Sequence, residues 1–432
     1  MEGSVSDGVG TLFGAGTASG ATGIRLFESS KPSIADCYAP LSAIPPYDMR
    51  DAWHQLIVLG NGFDLECGLK SRYSDFFKPR FEIVDSLAGM GEANWVQAIQ
   101  EHGLTIWDFM FSPDDRTWCD VEKALREWVT GEASLSSGTS ATMPHSISLS
   151  EFLKADPFEY SHPGLKDTPH GEQLRKMACY IRARGIKHSF RQNSRNGFIS
   201  LLQDDLRKLE IGFDGYLSDE VNNNADYQRQ ARKLLCQLFS DGMPSVESFR
   251  PSASILNFNY TDPTSGLNGP CIMEAVRNVH GRLDGEIIFG IDGKGLMDDS
   301  SAIPFTKTFR VLNSGKSADG ILFWTCTSSN VDRATDVIKF YGHSLGEADY
   351  SYFQALFDGV DIYESHTKLI FYYRPWKQGD GTKVTDQKAR ICISGKVTKL
   401  MTAYGATLDN KDHGENLLHK MLLEGRLIIK QI

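Results

Sequence analysis

Paired cysteines are missing from this chain. Its eight cysteines are scattered, the nearest two 30 residues apart, and no Cys-x-x-Cys occurs. That excludes the usual structural zinc knuckle and a thioredoxin-like redox motif, and it suits a reducing cytoplasm better than a disulfide scaffold. Long apolar runs are missing too. No stretch approaches the roughly 18 residues of a membrane-spanning helix. No basic segment followed by an apolar one opens the chain, so no secretory leader is expected. Basic residues are in deficit: 45 Lys and Arg stand against 55 Asp and Glu, a net charge of −10. Such a field does not steer the whole protein to nucleic acid, although a local basic patch would. The expectation is a cytoplasmic protein of small-molecule or protein partners, without membrane contact.

What is present is ordinary globular material, 41% hydrophobic and 23% charged over 432 residues, enough for two or three domains of about 150 residues. Residues 1–50 are rich in Gly, Ser, Ala and Pro. Burial there cannot offset the ordering entropy, so a flexible arm is expected. Residues 51–130 form the first part of an α/β nucleotide-binding domain. It opens on Leu56-Ile57-Val58-Leu59, a buried strand stopped by Gly60 and Gly62, and helical patterns follow over 71–86 and 120–130. A mainly helical insertion spans 131–250, beginning with a Ser/Thr/Gly-rich loop at 131–150. Within it Phe198, Leu202, Leu206, Leu209, Phe213 and Tyr216 recur at spacings of three and four, the stripe of an amphipathic helix. A further helix is predicted over 227–239, and the acid-free basic stretch 173–195 reads as a solvated helix face.

Residues 251–380 supply the second part of the α/β domain. Short β-branched and aromatic runs at 254–258, 276–280, 286–291, 337–341 and 368–373 predict strands, with a helix over 348–357. A C-terminal α/β extension, 381–432, carries a helix at 413–423 and a strand at 426–430. The fold class expected is α/β: a Rossmann-like, open, mostly parallel sheet interrupted by helices.

Four strand ends carry chemistry. Gly60-Asn61-Gly62-Phe63-Asp64 is a glycine turn of the kind that lets backbone approach a pyrophosphate, although the third glycine of the usual fingerprint is displaced to Gly68. Asn257-Phe258-Asn259-Tyr260-Thr261-Asp262 places polar groups at the carboxyl edge of a sheet, where open α/β folds bind ligands; Asn and Asp also start turns before a proline such as Pro263. Asn278-Val279-His280-Gly281 brings a histidine, the side chain suited to proton transfer at neutral pH, to a strand end. Tyr341-Gly342-His343-Ser344-Leu345-Gly346-Glu347-Ala348-Asp349 ends a strand in Gly-x-Ser, which can hold a ribose hydroxyl or cap the next helix.

Together these four segments resemble the bacteriophage abortive-infection AbiH family. Trp118-Cys119-Asp120-Val121-Glu122 and Ile288-Phe289-Gly290-Ile291-Asp292 look similar to it as well, and the likeness spans about 54–375. That family in turn distantly resembles the sirtuin-type NAD-binding fold. The resemblance implies that Gly60 and Gly62 match the opening turn and Asn259 the asparagine beside the nicotinamide ribose. It likewise matches His280, 21 residues later, to the catalytic histidine, and Gly342 and Ser344 to the segment near the adenosine. The sirtuin zinc cysteines are absent, which argues against a protein deacylase, and the turn carries Asn61 and Asp64 in place of the sirtuin residues.

The resemblance implies antiviral defence with NAD as ligand or substrate, hydrolysed to nicotinamide and ADP-ribose without a metal. Asn259 would orient, His280 act as general base and Asp262 orient a neighbour. The backbone N–H groups of Gly60, Asn61 and Gly62 would contact the pyrophosphate, with Asp64 also in the cofactor set. Gly342, Ser344 and Asp349 would hold the adenosine side. Expected partners are a phage-derived trigger and further copies of the chain. One alternative is a metal-dependent nuclease in which Asp64, Asp120, Glu122 and Asp262 gather Mg²⁺ and the 173–195 stretch touches phosphate. Another is a non-enzymatic nucleotide-gated sensor of infection.

Overall fold

The computed structural model describes residues 53–111, 121–130, 157–158, 171–186, 194–243, 251–267, 269, 271–283, 287–293, 295–296, 298–314, 320–324, 334–376 and 381–432. The expectations for the arm 1–50, the loop 131–150 and Asp120 lie outside these residues.

In chain order, β1 (Trp53–Leu59) and α1 (Gly62–Glu66) lead into α2 (Tyr73–Ser86), α3 (Glu92–His102), α4 (Ile106–Met110), α5 (Val121–Thr130), α6 (Gly171–Ala183) and α7 (Ser194–Asn223). Then come α8 (Tyr227–Ser240), β2 (Pro251–Asn257), β3 (Ile272–Asn278), α9 (Lys307–Asn313), β4 (Thr335–Tyr341) and α10 (Tyr350–Gly359). The chain closes with β5 (Lys368–Tyr373), α11 (Asp386–Gly405), α12 (Lys411–Leu423) and β6 (Leu427–Gln431).

The six strands form one sheet in the order β3-β2-β1-β4-β5-β6, and every pairing is parallel. This is the doubly wound order, in which the chain first builds outward from β1 on one side and then resumes on the other. Strand periodicity and burial on both faces explain why β1 ends in the apolar run Leu56–Leu59. Leu56 and Val58 pack with Phe353, Leu356, Leu400 and Leu417 from α10, α11 and α12. Ile57 and Leu59 pack on the opposite face with Phe63 of α1 and Leu235 and Phe239 of α8. The reversal point lies between β1 and β4, so the glycine turn after β1 faces the turn after β4.

A third core belongs to the helices. Phe77, Trp95, Trp107, Leu125, Tyr180, Leu206 and Phe213 are buried together there, and the stripe on α7 is its spine. The 286–291 stretch, expected as a strand, is corrected here. Ile287 and Phe289 join the helical core instead. The Phe289 N–H donates to the Glu210 carboxylate at 2.7 Å and the Ile288 N–H to the His280 carbonyl at 2.8 Å, so this backbone is satisfied without a ladder. The basic stretch is also not simply solvated. Arg175 is buried with its guanidinium on Glu172, Lys176 reaches Asp85, and Arg182 reaches Glu92. Among the described residues no helix is long and apolar enough to cross a membrane.

Candidate functional site

The carboxyl ends of β1, β2, β3 and β4 lie side by side, and the four motif segments leave from them. The turns after β1 and β4 interlock. Gly60 N–H donates to the Tyr341 carbonyl at 3.0 Å and Gly62 N–H to the Gly342 carbonyl at 2.8 Å. A Cβ on Gly60 would stand 2.4 Å from the His343 Cα, and one on Gly62 2.7 Å from the Gly342 Cα. These glycines therefore serve close backbone approach, and the N–H groups of Gly60 and Gly62 expected on a pyrophosphate are already used by β4. The Asn61 side chain is exchanged with Ser71, accepting from its hydroxyl at 2.5 Å and donating to its carbonyl at 3.2 Å.

Asp64 is fully enclosed. It accepts from the Thr261 hydroxyl at 2.8 Å and the Tyr227 hydroxyl at 2.9 Å. Burial raises its pKa to about 6 against the pull of those two hydrogen bonds. Asp262 is exposed and accepts from the N–H and hydroxyl of Thr264 at 2.9 and 2.5 Å. It orients its own turn, not His280 or Asn259. Among the described residues Asp64 and Asp262 join no group of carboxylates that could hold Mg²⁺, and Asp120 of that set lies outside them. Ser344 is exposed, and its hydroxyl accepts from the Gly346 N–H at 3.4 Å.

Asn259 is shaped by its neighbours. Asn257 accepts its N–H at 3.1 Å, and Asn278 donates to its carbonyl at 2.8 Å. Its own amide donates to the Gly60 carbonyl at 3.2 Å, tying β2 to the glycine turn, while its Oδ1 is buried without a partner. Such an atom costs free energy unless something supplies a donor.

A cluster gathers around Asp349. His280 Nε2 lies 3.4 Å from Asp349 Oδ1, and His343 Nε2 lies 3.5 Å from Oδ2. Lys307 Nζ donates to Asp349 Oδ1 at 2.8 Å and pairs with Glu122 Oε1 at 2.7 Å. Leu345 N–H donates to His343 Nδ1 at 2.9 Å, which assigns the His343 proton to Nε2, toward Asp349. Leu345 itself sits at φ 56°, a left-handed backbone that a branched side chain adopts only under surrounding constraint. Phe258 holds both imidazoles in place: its ring centroid is 5.7 Å from that of His280 and 4.4 Å from that of His343.

Electrostatics follow from this packing. Burial alone would push Asp349 up, but hydrogen bonds from His280 and His343 and the charge of Lys307 hold it well below the usual carboxylate range. Burial and then Lys307 push His280 down, against the opposing pull of Asp349. Lys307 is raised because Glu122 and Asp349 outweigh its desolvation. His280 is therefore neutral at pH 7. With Nε2–H turned to Asp349, Nδ1 is the acceptor, and that atom is buried without a partner. The arrangement is that of a histidine oriented by a carboxylate, able to take a proton.

Glu122, His280 and Asp349 also bring one ligand atom each within 4.8 Å of one another. The positive charge between the two carboxylates is supplied by the Lys307 ammonium. Of the residues proposed from sequence, Gly60, Gly62, Asn259, His280, Gly342 and Asp349 belong to this connected region. Sequence reasoning missed His343, although it stood inside a quoted motif, and Lys307, for which no motif gave a signal. Glu122 was proposed only for a metal, and here it holds an ammonium.

No curated protein and no solved structure matches the chain. A family model described as bacteriophage abortive infection AbiH matches residues 56–373, from within β1 to the end of β5, and so encloses all four strand-end motifs. The chain belongs to the AbiH family of bacteriophage abortive-infection defence proteins.

Proposed function

We propose that this defence protein hydrolyses NAD, cleaving the bond between nicotinamide and ribose. The observation that carries the reading is the His280–Asp349 pair at the sheet's carboxyl edge, with Nδ1 of a neutral imidazole left free to accept. Water attacks C1′ of the ribose and the C1′–N bond breaks. Nicotinamide leaves with the bonding electron pair, which neutralises its ring, and His280 Nδ1 takes the proton from the water and returns it to solvent. The transition state is oxocarbenium-like, so little covalent machinery is required and orientation matters most. Asn259 Oδ1 accepts from the ribose hydroxyl or the attacking water. The doubly wound order of the sheet, with the motifs at its carboxyl edge, supports a dinucleotide ligand. The closed glycine turn means that its phosphates rest on other groups than the Gly60 and Gly62 N–H.

The test measures NAD and nicotinamide in infected cells and with purified protein. The wild type is expected to release nicotinamide, and His280→Ala to be slower by about 10²–10⁴-fold. NAD that is bound but uncleaved while defence persists would instead favour a nucleotide-gated sensor. Equal release by wild type and His280→Ala would overturn the assignment of the base.

A further inference from the structure

We infer that Lys307 is a positioning residue of this site, a built-in cation that locks Asp349 against His280 and joins the helical layer to the sheet. The inference rests on the proposed reading of His280 as base and extends it to a residue outside every strand-end motif. Lys307 opens α9 behind an N-cap, Thr306, whose side chain accepts from Phe309 N–H. Its backbone is fixed by Ile291, which accepts the Lys307 N–H at 3.0 Å. Its side chain is 3% exposed.

An ammonium has three donors. Here they meet Glu122 at 2.7 Å, Asp349 at 2.8 Å and the Ala348 carbonyl at 3.4 Å. None is left for a substrate, so the residue acts through Asp349. It gathers α5, α9 and the segment after β4 around one charge. Buried carboxylates of like sign cannot share this space without such a partner.

The groups facing His280 are Asp349 and His343 after β4 and Lys307 on α9, with Glu122 of α5 behind the ammonium. The rings of Phe258, Tyr260 and Tyr352 complete the enclosure. Removing the positive charge leaves His280 beside an uncompensated carboxylate, so its protonated form becomes easier to populate. The acid limb of the pH–rate profile then moves to higher pH.

The experiment compares wild type with Lys307→Met, and with Lys307→Gln in case two facing carboxylates prevent folding. Lys307→Arg is the charge-conserving control. Imidazole NMR follows the titration of His280 in the ligand-free protein, with His280→Gln to assign the signal; NAD hydrolysis is followed in parallel. The neutral variants are expected to titrate His280 at higher pH than wild type, to lose about tenfold or more of kcat near pH 6.5 and to keep KM. Lys307→Arg is expected to restore the wild-type titration. A lowered melting temperature with His280 titrating as in wild type would overturn the inference, leaving Lys307 a structural staple. If the wild type proves inactive on NAD, the proposed function fails, and the NMR titration still decides the role of Lys307.

Discussion

Gly342 shows how tightly single residues are constrained around this site. Its φ is 71°, and a Cβ there would stand 2.4 Å from the Phe63 nitrogen. Gly342→Ala therefore meets both backbone strain and a backbone collision. A loss of at least about 1–3 kcal/mol, the cost of the strained conformation alone, is expected in chemical denaturation. Gly60→Ala collides with the Cα of His343, so it should also displace an imidazole that contacts Asp349. Nicotinamide release should then fall by more than the loss of folded protein explains; proportional losses would show that the turn has no hold on the site. Residues like these were readable in the sequence because a strand ending in glycine or a polar side chain announces a carboxyl edge. His280, Asn259 and Asp349 were found in that way. Lys307 was not, because its role comes from a short helix far from any strand end, and no local pattern marks an ammonium that is paired across three chain segments.

Elements were readable where periodicity was complete. The run Leu56–Leu59 of β1 and the run Leu369–Tyr373 of β5 are buried on both faces, β4 is a mostly apolar run broken by Lys339, and α7 carries an unbroken stripe. The helix α11 was missed: Ile391 is exposed, Gly395 interrupts the middle, and the buried Val397, Leu400, Met401 and Tyr404 occupy its second half only. Packing on β5 and α12 overrides a weak local preference. The misread strand at 286–291 has the opposite cause. Its apolar run is real, but a buried acid on α7 captures its backbone. Glu210 accepts the Phe289 N–H at 2.7 Å with one oxygen and pairs with Arg310 of α9 at 2.8 Å with the other. Glu210→Ala is expected to cost about 3 kcal/mol and to speed amide hydrogen exchange at Phe289. Glu210→Gln, which keeps the accepting oxygen, should retain protection at Phe289 while losing the Arg310 pair. Unchanged exchange in Glu210→Ala would mean that core packing alone holds the segment.

At the level of the whole molecule, the sheet and helical cores meet at a charged seam, while the sheet itself encloses a cation of its own. Lys339, on β4 next to the central strand, is fully buried. Its ammonium donates to Gln55 Oε1 and the Leu238 carbonyl, each at 2.6 Å, and to the Phe239 carbonyl at 3.3 Å, where α8 ends. That position suits a cation at a helix C-terminus, but desolvation dominates and lowers its pKa to about 7. The unfolded chain holds this proton up to about 10.4. Between the two values the unfolded state binds more protons, so the unfolding free energy rises with pH; below the folded value both states are protonated and the penalty is complete. At 1.36 kcal/mol per pKa unit the swing is on the order of 5 kcal/mol. Lys339→Met removes the titration and, with it, the hydrogen bonds that the amine donates. Denaturation of wild type and variant from pH 7 to 10 should therefore give lines of different slope, the wild type gaining relative to the variant as pH rises. Parallel lines would show that the ammonium stays charged inside the sheet, and that the carbonyls at the end of α8 solvate it as well as water does.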